Sequence, residues 1–316
     1  MRNDANLEEL VLKLNEYYHD LVGDEYENLH PEIFKDEARR WRMAGEKYLA
    51  GRPEELRILD LGSGSGFVPS RLIGLLKKND QFICSDISRK ILVKCRDNLH
   101  RRRHSCLIEY IKTDGRSIPL SSSSIDMITM NSFLHHVHDL QGLYREINRL
   151  VKPGGMLLVG HEPNLPFFSH VFLWHNFTFL SQLQNNLNKL SFWRDPGPDK
   201  WRERSLHARI FSRINQRLLA DRVISRPLSG RKISEIIDIH SCTAGGLHRN
   251  RPDLVMSIKR GLPEFSILEC KTYHHLYKLS YFSRGAKWYD ALLRRIFPEN
   301  GALFFLAAKK GGNKNE

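Results

Sequence analysis

The sequence predicts an α/β protein built on a seven-strand, mostly parallel sheet with helices on both faces, an N-terminal helical lid and a helical insert after the fifth strand. Three observations carry this prediction. From residue 57 to residue 160, short apolar runs alternate with helical stretches, the pattern of strands joined by crossover helices. A glycine-rich turn follows the first run directly. After Pro163 the alternation stops for about a hundred residues, longer than any ordinary strand–helix connection, and then resumes.

Each element has its own signal. Residues 5–50 place apolar side chains at helical spacing on two segments, broken by an acidic stretch at 24–27, with Pro31 suited to the first turn of the second helix. Strands are expected at 57–61 (RILDL), 81–85 (QFICS), 107–111 (LIEYI), 125–130 (IDMITM) and 155–160 (GMLLVG). Ser121–Ser124 reads as a solvated loop and Pro153-Gly154-Gly155 as a turn ahead of the fifth strand. Residues 165–192 read as helical and aromatic-rich, and residues 194–222 as a basic segment with Pro196 and Pro198 before its helix. A helix over 252–260 stopped by Gly261, a strand at 265–274 and a last strand at 302–309 complete the set. Four parts follow: a lid over 1–50, a core over 51–163, an insert over 164–250, and a return of the core over 251–316.

The 316 residues are 41% hydrophobic and 27% charged, which excludes a disordered or disulfide-stapled chain. The net charge of +13 is one-sided. Residues 1–163 hold 24 basic and 24 acidic side chains, and residues 164–316 hold 25 and 12. An anionic partner is therefore expected at the second half. Five cysteines form no CxxC pair, which suits a reducing cytoplasm and predicts no zinc knuckle. The opening MRNDANLEEL has three acids and no apolar run, unlike a signal peptide. Between Glu162 and Lys189 no residue is charged, but two histidines and several amides interrupt the stretch, which argues against a membrane span.

The chemistry centres on Ile58-Leu-Asp-Leu-Gly-Ser-Gly-Ser-Gly-Phe67. A buried strand here runs into glycines that permit a sharp turn and close approach of a ligand, followed by a helix N-terminus. A dinucleotide loop needs G-x-G-x-x-G. Here Phe67 stands where the third glycine belongs, so the loop departs from the NAD pattern. Two further acids follow at strand ends, Asp86 in FICSDI and Asp114 in KTDG. A carboxylate at the first can accept from two vicinal ribose hydroxyls. Each acid alone is more simply read as a turn or helix cap. The three features in order, at the carboxyl edge of three successive strands, point to a nucleoside-bearing ligand.

This set resembles the class I S-adenosylmethionine-dependent methyltransferases, and within them the type 11 group that includes the quinone-biosynthesis enzymes. The resemblance covers about residues 50–163 closely, extending through DMITMNSFLHH (126–136) and LYREINRLVKPGGMLL (143–158). It implies a Rossmann-like fold, with S-adenosyl-L-methionine held by Asp60, Gly62, Ser63, Gly64, Gly66, Asp86, Ile87, Asp114, Gly115 and Asn131. In that reading Asp60 orients the cofactor's ammonium, Ile87 packs on adenine, and Gly115 leaves room for it. It implies methyl transfer to a small, bulky apolar or aromatic acceptor. A cofactor binder without transfer and an RNA methyltransferase are the alternatives. Asn131-Ser-Phe-Leu lacks the Pro-Pro-aromatic motif of base-amino methylation, and no RNA-binding module accompanies the basic half, which weighs against nucleic acid.

For proton removal the candidates are His136, after the fourth strand, and His161, after the fifth. Each is equally well read as a local hydrogen-bonding group. No spacing here suggests a metal site. The aromatic stretch 165–180 reads either as a wall for the acceptor or as the core of its own subdomain. Arg209, Arg213 and Arg217 recur at four-residue steps beside Leu206, Ile210, Ile214 and Leu218. This basic amphipathic helix is most simply a solvated face, and otherwise suits an anionic membrane surface or a phosphorylated substrate. The protein is expected in the cytoplasm, with attachment at a membrane periphery as the variant reading. Tyr17 and Tyr18 read as a gate over the cofactor or as helix packing.

Overall fold

The computed structural model describes residues 2–23, 31–51, 55–190, 198–240, 252–277, 279 and 284–312. Seven strands form one sheet: β1 Arg57–Leu61, β2 Gln81–Asp86, β3 Leu107–Lys112, β4 Ile125–Asn131, β5 Val151–Pro163, β6 Phe265–Tyr273 and β7 Leu303–Lys310. Their spatial order is β3-β2-β1-β4-β5-β7-β6, with β7 antiparallel to both neighbours and the other six strands parallel. The order reverses between β1 and β4, and that switch point, at the carboxyl edge, is where an open α/β sheet takes a ligand.

The central strands are apolar on both faces because both are covered. Ile58, Phe82, Met127 and Leu158 pack on one face with Trp41, Phe67, Leu72 and Leu99. Leu59, Ile83, Ile128 and Leu157 pack on the other with Leu143, Tyr144, Ile147 and Ile258. The two-residue alternation thus assigns successive side chains to opposite cores.

The helices are α1 Arg2–Val22, α2 Pro31–Leu49, α3 Pro69–Leu72, α4 Arg89–His100, α5 Leu140–Leu150, α6 Leu165–Ser169, α7 Val171–Leu190, α8 Pro198–Ala220, α9 Gly230–Ile237, α10 Leu254–Gly261 and α11 Arg284–Ile296. A 3₁₀ turn spans Leu134–His136. Two further cores lie off the sheet. Val11, Leu14, Tyr17 and Tyr18 of α1 pack against Ile210, Ile214 and Leu218 of α8 and Ile233 and Ile236 of α9. Phe167, Phe168 and Leu173 pack against Leu276, Leu279 and Leu293.

Several boundaries differ from expectation. β5 starts at Val151 rather than Gly155, because Val151 already pairs with Ile125, and the Pro153-Gly154-Gly155 turn becomes an irregularity within the ladder. The aromatic segment breaks at His170 into α6 and α7. Gly261 is not a stop but the last residue of α10, and a Cβ there would lie 2.0 Å from the Tyr144 ring. Its glycine serves close packing, not helix termination. Pro196, Cys242 and the expected insert at 191–197 and 241–250 lie outside the described residues.

Candidate functional site

The carboxyl edge of β1, β2 and β4 opens onto a cavity roofed by α1. Its walls include Gly62, Gly64, Asp86, Ile87, Asp114, Gly115, Asn131 and His136, with Val11, Leu12, Asn15 and His19 above them. Eight of the twelve site residues expected from sequence thus meet in one place.

The glycine loop is held by its own backbone. Gly62, Gly64 and Gly66 have φ of +71°, +51° and +94°, a region open to glycine. A Cβ on Gly62 would lie 2.4 Å from the Phe133 ring, whereas one on Gly64 meets nothing within 4 Å. Gly64 therefore leaves space for a ligand rather than for the protein. Ser63 does not reach the cavity. Its N–H donates to the Ser85 carbonyl at 2.8 Å and its hydroxyl accepts from the Ser85 N–H at 3.1 Å, tying the loop to β2. Gly66 lies against Cys95 of α4.

Asp86 is buried at the end of β2. One oxygen accepts from the Gly64 N–H at 3.0 Å and the other from the Ser88 N–H at 2.9 Å. A carboxylate offers about four lone-pair sites, so each oxygen keeps one for a ligand. Burial pushes its pKa up to about 6, against the pull of these N–H donors. Ser88, not Asp86, caps α4, accepting from the Ile91 N–H; its hydroxyl donates to Asp20 of α1 at 2.6 Å.

Asp60 lies beneath the loop, 1% exposed, and is not on the cavity wall. Thr129 donates to one oxygen at 2.5 Å and the other has no partner. Burial raises this carboxyl to about 7. Asp114 is on the wall but engaged by the Arg116 guanidinium at 2.6 Å. Burial opposes its ionisation, yet Arg116 outweighs it and holds the carboxyl below its ordinary range. Asn131 accepts from the Trp41 indole N–H at 2.7 Å. Indole is a donor only, which fixes the amide orientation and leaves the NH₂ as donor.

The two histidines separate. His136 lines the cavity, and its Nδ1 donates to the Ile237 carbonyl at 2.8 Å. Nε2 therefore carries the lone pair. Burial, then the adjoining His135, lowers its pKa to about 4. His161 is not on the cavity. It sits at φ +55° with Nδ1 3.4 Å from Glu37 of α2, and its N–H donates to the Tyr273 hydroxyl. Of the two candidates only His136 lines this cavity: a bulge in the β5–β7 pairing between Val159 and Glu162 accompanies the turn of His161 toward α2.

Sequence reasoning missed the residue that shapes this edge. Glu162, fully buried, accepts from the backbone N–H of Phe133 at 2.6 Å and of Leu134 at 2.8 Å, and from His135 Nδ1 at 2.7 Å. Burial raises its pKa, but His135 and these donors outweigh that and keep the carboxyl lowered. It holds the turn that delivers His136. His135, His136 and Asp238 come within 4.8 Å of one another. Here the hydrogen bonds to Glu162 and Ile237 already occupy both Nδ1 atoms. A carboxylate at the end of β5 backing a turn after β4 has no local sequence signal.

The aromatic stretch does not wall this cavity. Phe167, Phe168, Trp174 and Phe177 pack with Tyr277 instead, as the core of their own layer. Tyr17 donates to Asp221, and Tyr18 is buried in the α1–α8–α9 core, so both pack rather than gate. The arginine row splits. Arg209 and Arg213 are exposed, while Arg217 approaches Asp20 at 3.5 Å and lies over the Tyr17 ring. Among the described residues no helix is long and apolar enough to cross a membrane.

The methyltransferase domain family matches residues 59–159, the segment that holds the glycine loop and all three acids. Over that segment the chain carries a methyltransferase domain, and it is an S-adenosylmethionine-dependent methyltransferase. The methyltransferase is 28% identical over 178 residues to the ubiquinone/menaquinone biosynthesis C-methyltransferase of Vibrio parahaemolyticus, covering 56% of this chain and 68% of the relative. It is 27% identical over 159 residues to the 2-phytyl-1,4-naphtoquinone methyltransferase of Synechococcus elongatus, covering 49% and 68%. Among solved structures it is similar to the geranyl diphosphate C-methyltransferase of Streptomyces coelicolor, with a TM-score of 0.47 and 12% identity over 86% of this chain and 79% of that one. The cofactor of this methyltransferase is S-adenosylmethionine.

Proposed function

We propose that the methyltransferase carries a methyl group to a small apolar acceptor entering beneath α1, with Asp86 as the ribose anchor and His136 as the group that meets the acceptor's proton. The observation that carries this reading is Asp86 itself: buried, fixed through both oxygens by backbone N–H groups, and keeping a lone pair on each at the cavity wall. Open space at Gly64 leaves the backbone accessible. The unpartnered oxygen of Asp60 favours a cationic group above the loop. The Asn131 NH₂ suits a carboxylate, and Asp114 with Gly115 suits the adenine edge.

The bound cofactor supplies an activated methyl on a sulfonium, so the protein's task is placement. Val11, Leu12 and Val137 make one side of the cavity apolar, which excludes water from that side and suits an apolar acceptor. His136 Nε2 accepts a hydrogen bond from an acidic acceptor proton. Its lowered basicity keeps it neutral at physiological pH, available as acceptor rather than donor. His161, backed by Glu37, is a positioning residue at the end of β5. The lid comprises α1 with α8 and α9, and Arg217 belongs to it through Asp20. Arg209 and Arg213, exposed on α8, suit an anionic surface or a phosphorylated acceptor. The quinone-methylating names of the relatives support an acceptor of apolar ring character.

The test is turnover of a panel of phenols and quinols, followed as released S-adenosylhomocysteine, with transfer RNA as a comparison. Release with an apolar ring substrate and none with RNA is expected. Release with RNA alone overturns the acceptor assignment.

A further inference from the structure

Helices α7 and α11 leave an apolar surface uncovered. On α7, Phe172, Phe179 and Leu183 form one exposed stripe at steps of seven and four residues, beside the buried Leu173. On α11, Trp288, Leu292 and Ile296 form another at four-residue steps, beside the buried Leu293. Trp288 is 70% exposed and Phe179 65%. In both helices the apolar arc is wider than the arc that the protein covers.

The stripes adjoin. Asn176 of α7 donates to the Tyr289 hydroxyl of α11 at 2.9 Å, and the Phe172 and Phe297 rings lie 5.7 Å apart. On a helical wheel Asn176 borders the α7 stripe and Tyr289 borders the α11 stripe. The result is one continuous face, not isolated exposed side chains, and a contiguous apolar patch marks an interaction site.

Charge decides the occupant. Lys287, Arg294 and Arg295 are exposed on α11, alongside this face. Helix α7 contains no acidic residue at all, and the one acid of α11, Asp290, is turned inward to accept from the Leu276 N–H. The next acid along the chain, Glu299, lies beyond the helix end. A second copy of the chain would bring two such basic rims together without carboxylates to pair them. An anionic lipid surface supplies the opposite charge and a layer that receives Trp and Phe at headgroup depth.

We propose that the α7–α11 face seats the protein on an anionic membrane surface, with Trp288 and the phenylalanines entering the headgroup layer and the three cations above it. The contact is peripheral and reversible. It lies on different helices from the basic row of α8, and it does not depend on the acceptor assigned above.

The experiment is co-sedimentation of the full chain with vesicles of phosphatidylcholine alone and with a third phosphatidylglycerol. Wild type is expected to sediment with the anionic vesicles and to release as salt rises. Replacing Lys287, Arg294 and Arg295 together by Gln is expected to weaken binding roughly a hundredfold, at about fivefold for each charge. Phe179→Ser with Trp288→Ser is expected to abolish binding even at low salt. Both variants keep S-adenosylhomocysteine affinity, which shows that the fold survives. Absence of wild-type binding to anionic vesicles, or equal binding by the serine variant, overturns the proposal. So does a wild-type dimer in sedimentation velocity that the serine variant dissolves, which would assign the face to a second copy.

Discussion

Replacing Asp86 by Asn, and separately lowering the pH, perturb the same two lone pairs by different routes. In the wild type each oxygen takes one backbone N–H, from Gly64 or Ser88, and offers its remaining site to the cavity. An amide has one oxygen and one NH₂, so one of those backbone N–H groups would face a donor. The ribose would lose one acceptor, and the other would no longer be charged. Hydrogen bonds to a charged group contribute about 1.5–3 kcal/mol, so S-adenosylhomocysteine should bind about ten- to 150-fold more weakly. Acid should reproduce part of this. With a pKa pushed up to about 6 by burial, Asp86 is ionised at pH 7.5 and mostly protonated at pH 5. Wild-type affinity should therefore fall as pH drops through 6, and the Asn variant should show no such dependence. The unliganded fold responds with opposite sign. A carboxyl raised from an ordinary 3.8 to about 6 contributes stability that is complete below about pH 4 and lost as pH rises through 6. Calorimetry at pH 5, 6 and 7.5 with both proteins reads all of this. A wild-type affinity flat across that range, or an Asn variant within threefold of wild type at pH 7.5, would refute the ribose assignment.

Other substitutions test other parts of the edge. Glu162→Gln puts an amide NH₂ among N–H donors and should cost about 3 kcal/mol or more, read as a lower urea midpoint. Gly62→Ala combines a left-handed φ of +71° with a Cβ 2.4 Å from Phe133, and should destabilise the fold by more than about 2 kcal/mol and remove cofactor binding. Arg209→Gln with Arg213→Gln should leave melting and cofactor affinity unchanged. Arg217→Gln should weaken cofactor binding measurably, because it frees Asp20, the acceptor of the Ser88 hydroxyl beside Asp86. The protein should show no saturable binding of NAD in calorimetry, since Phe67 occupies the position of the dinucleotide loop's third glycine.

What the sequence made legible, and what it hid, divide along a physical line. Local rules worked where a strand, a turn and a helix follow one another within about twenty residues. The loop at 62–66 and the acids at 86 and 114 sit at successive strand ends, and the sheet gathers their ends on one edge. Periodicity also found the helices of the lid and insert, but it reports which residues share a face and not what that face meets. The aromatic run at 165–180 thus suited an acceptor wall as well as a core, and only the tertiary arrangement placed it against Leu276, Leu279 and Leu293. The contacts that orient the histidines are longer-range still. Glu162 serves a turn 27–29 residues earlier, and Glu37 meets a tyrosine 236 residues away. Such pairs leave no spacing to read, because each partner alone looks like an ordinary charged or aromatic residue. The same reasoning explains why the arginine row of α8 was only partly informative. Its third member turns inward to Asp20, so a charge pattern regular along the helix is divided by the neighbour that α1 provides. At this edge, the cofactor half is written in short-range chemistry that one strand-loop-helix unit can hold. The side proposed for the acceptor is made by α1 and the turn after β4, which Glu162 of β5 and the Ile237 carbonyl of α9 hold in place, so its shape depends on how the lid and insert dock, not on any segment by itself.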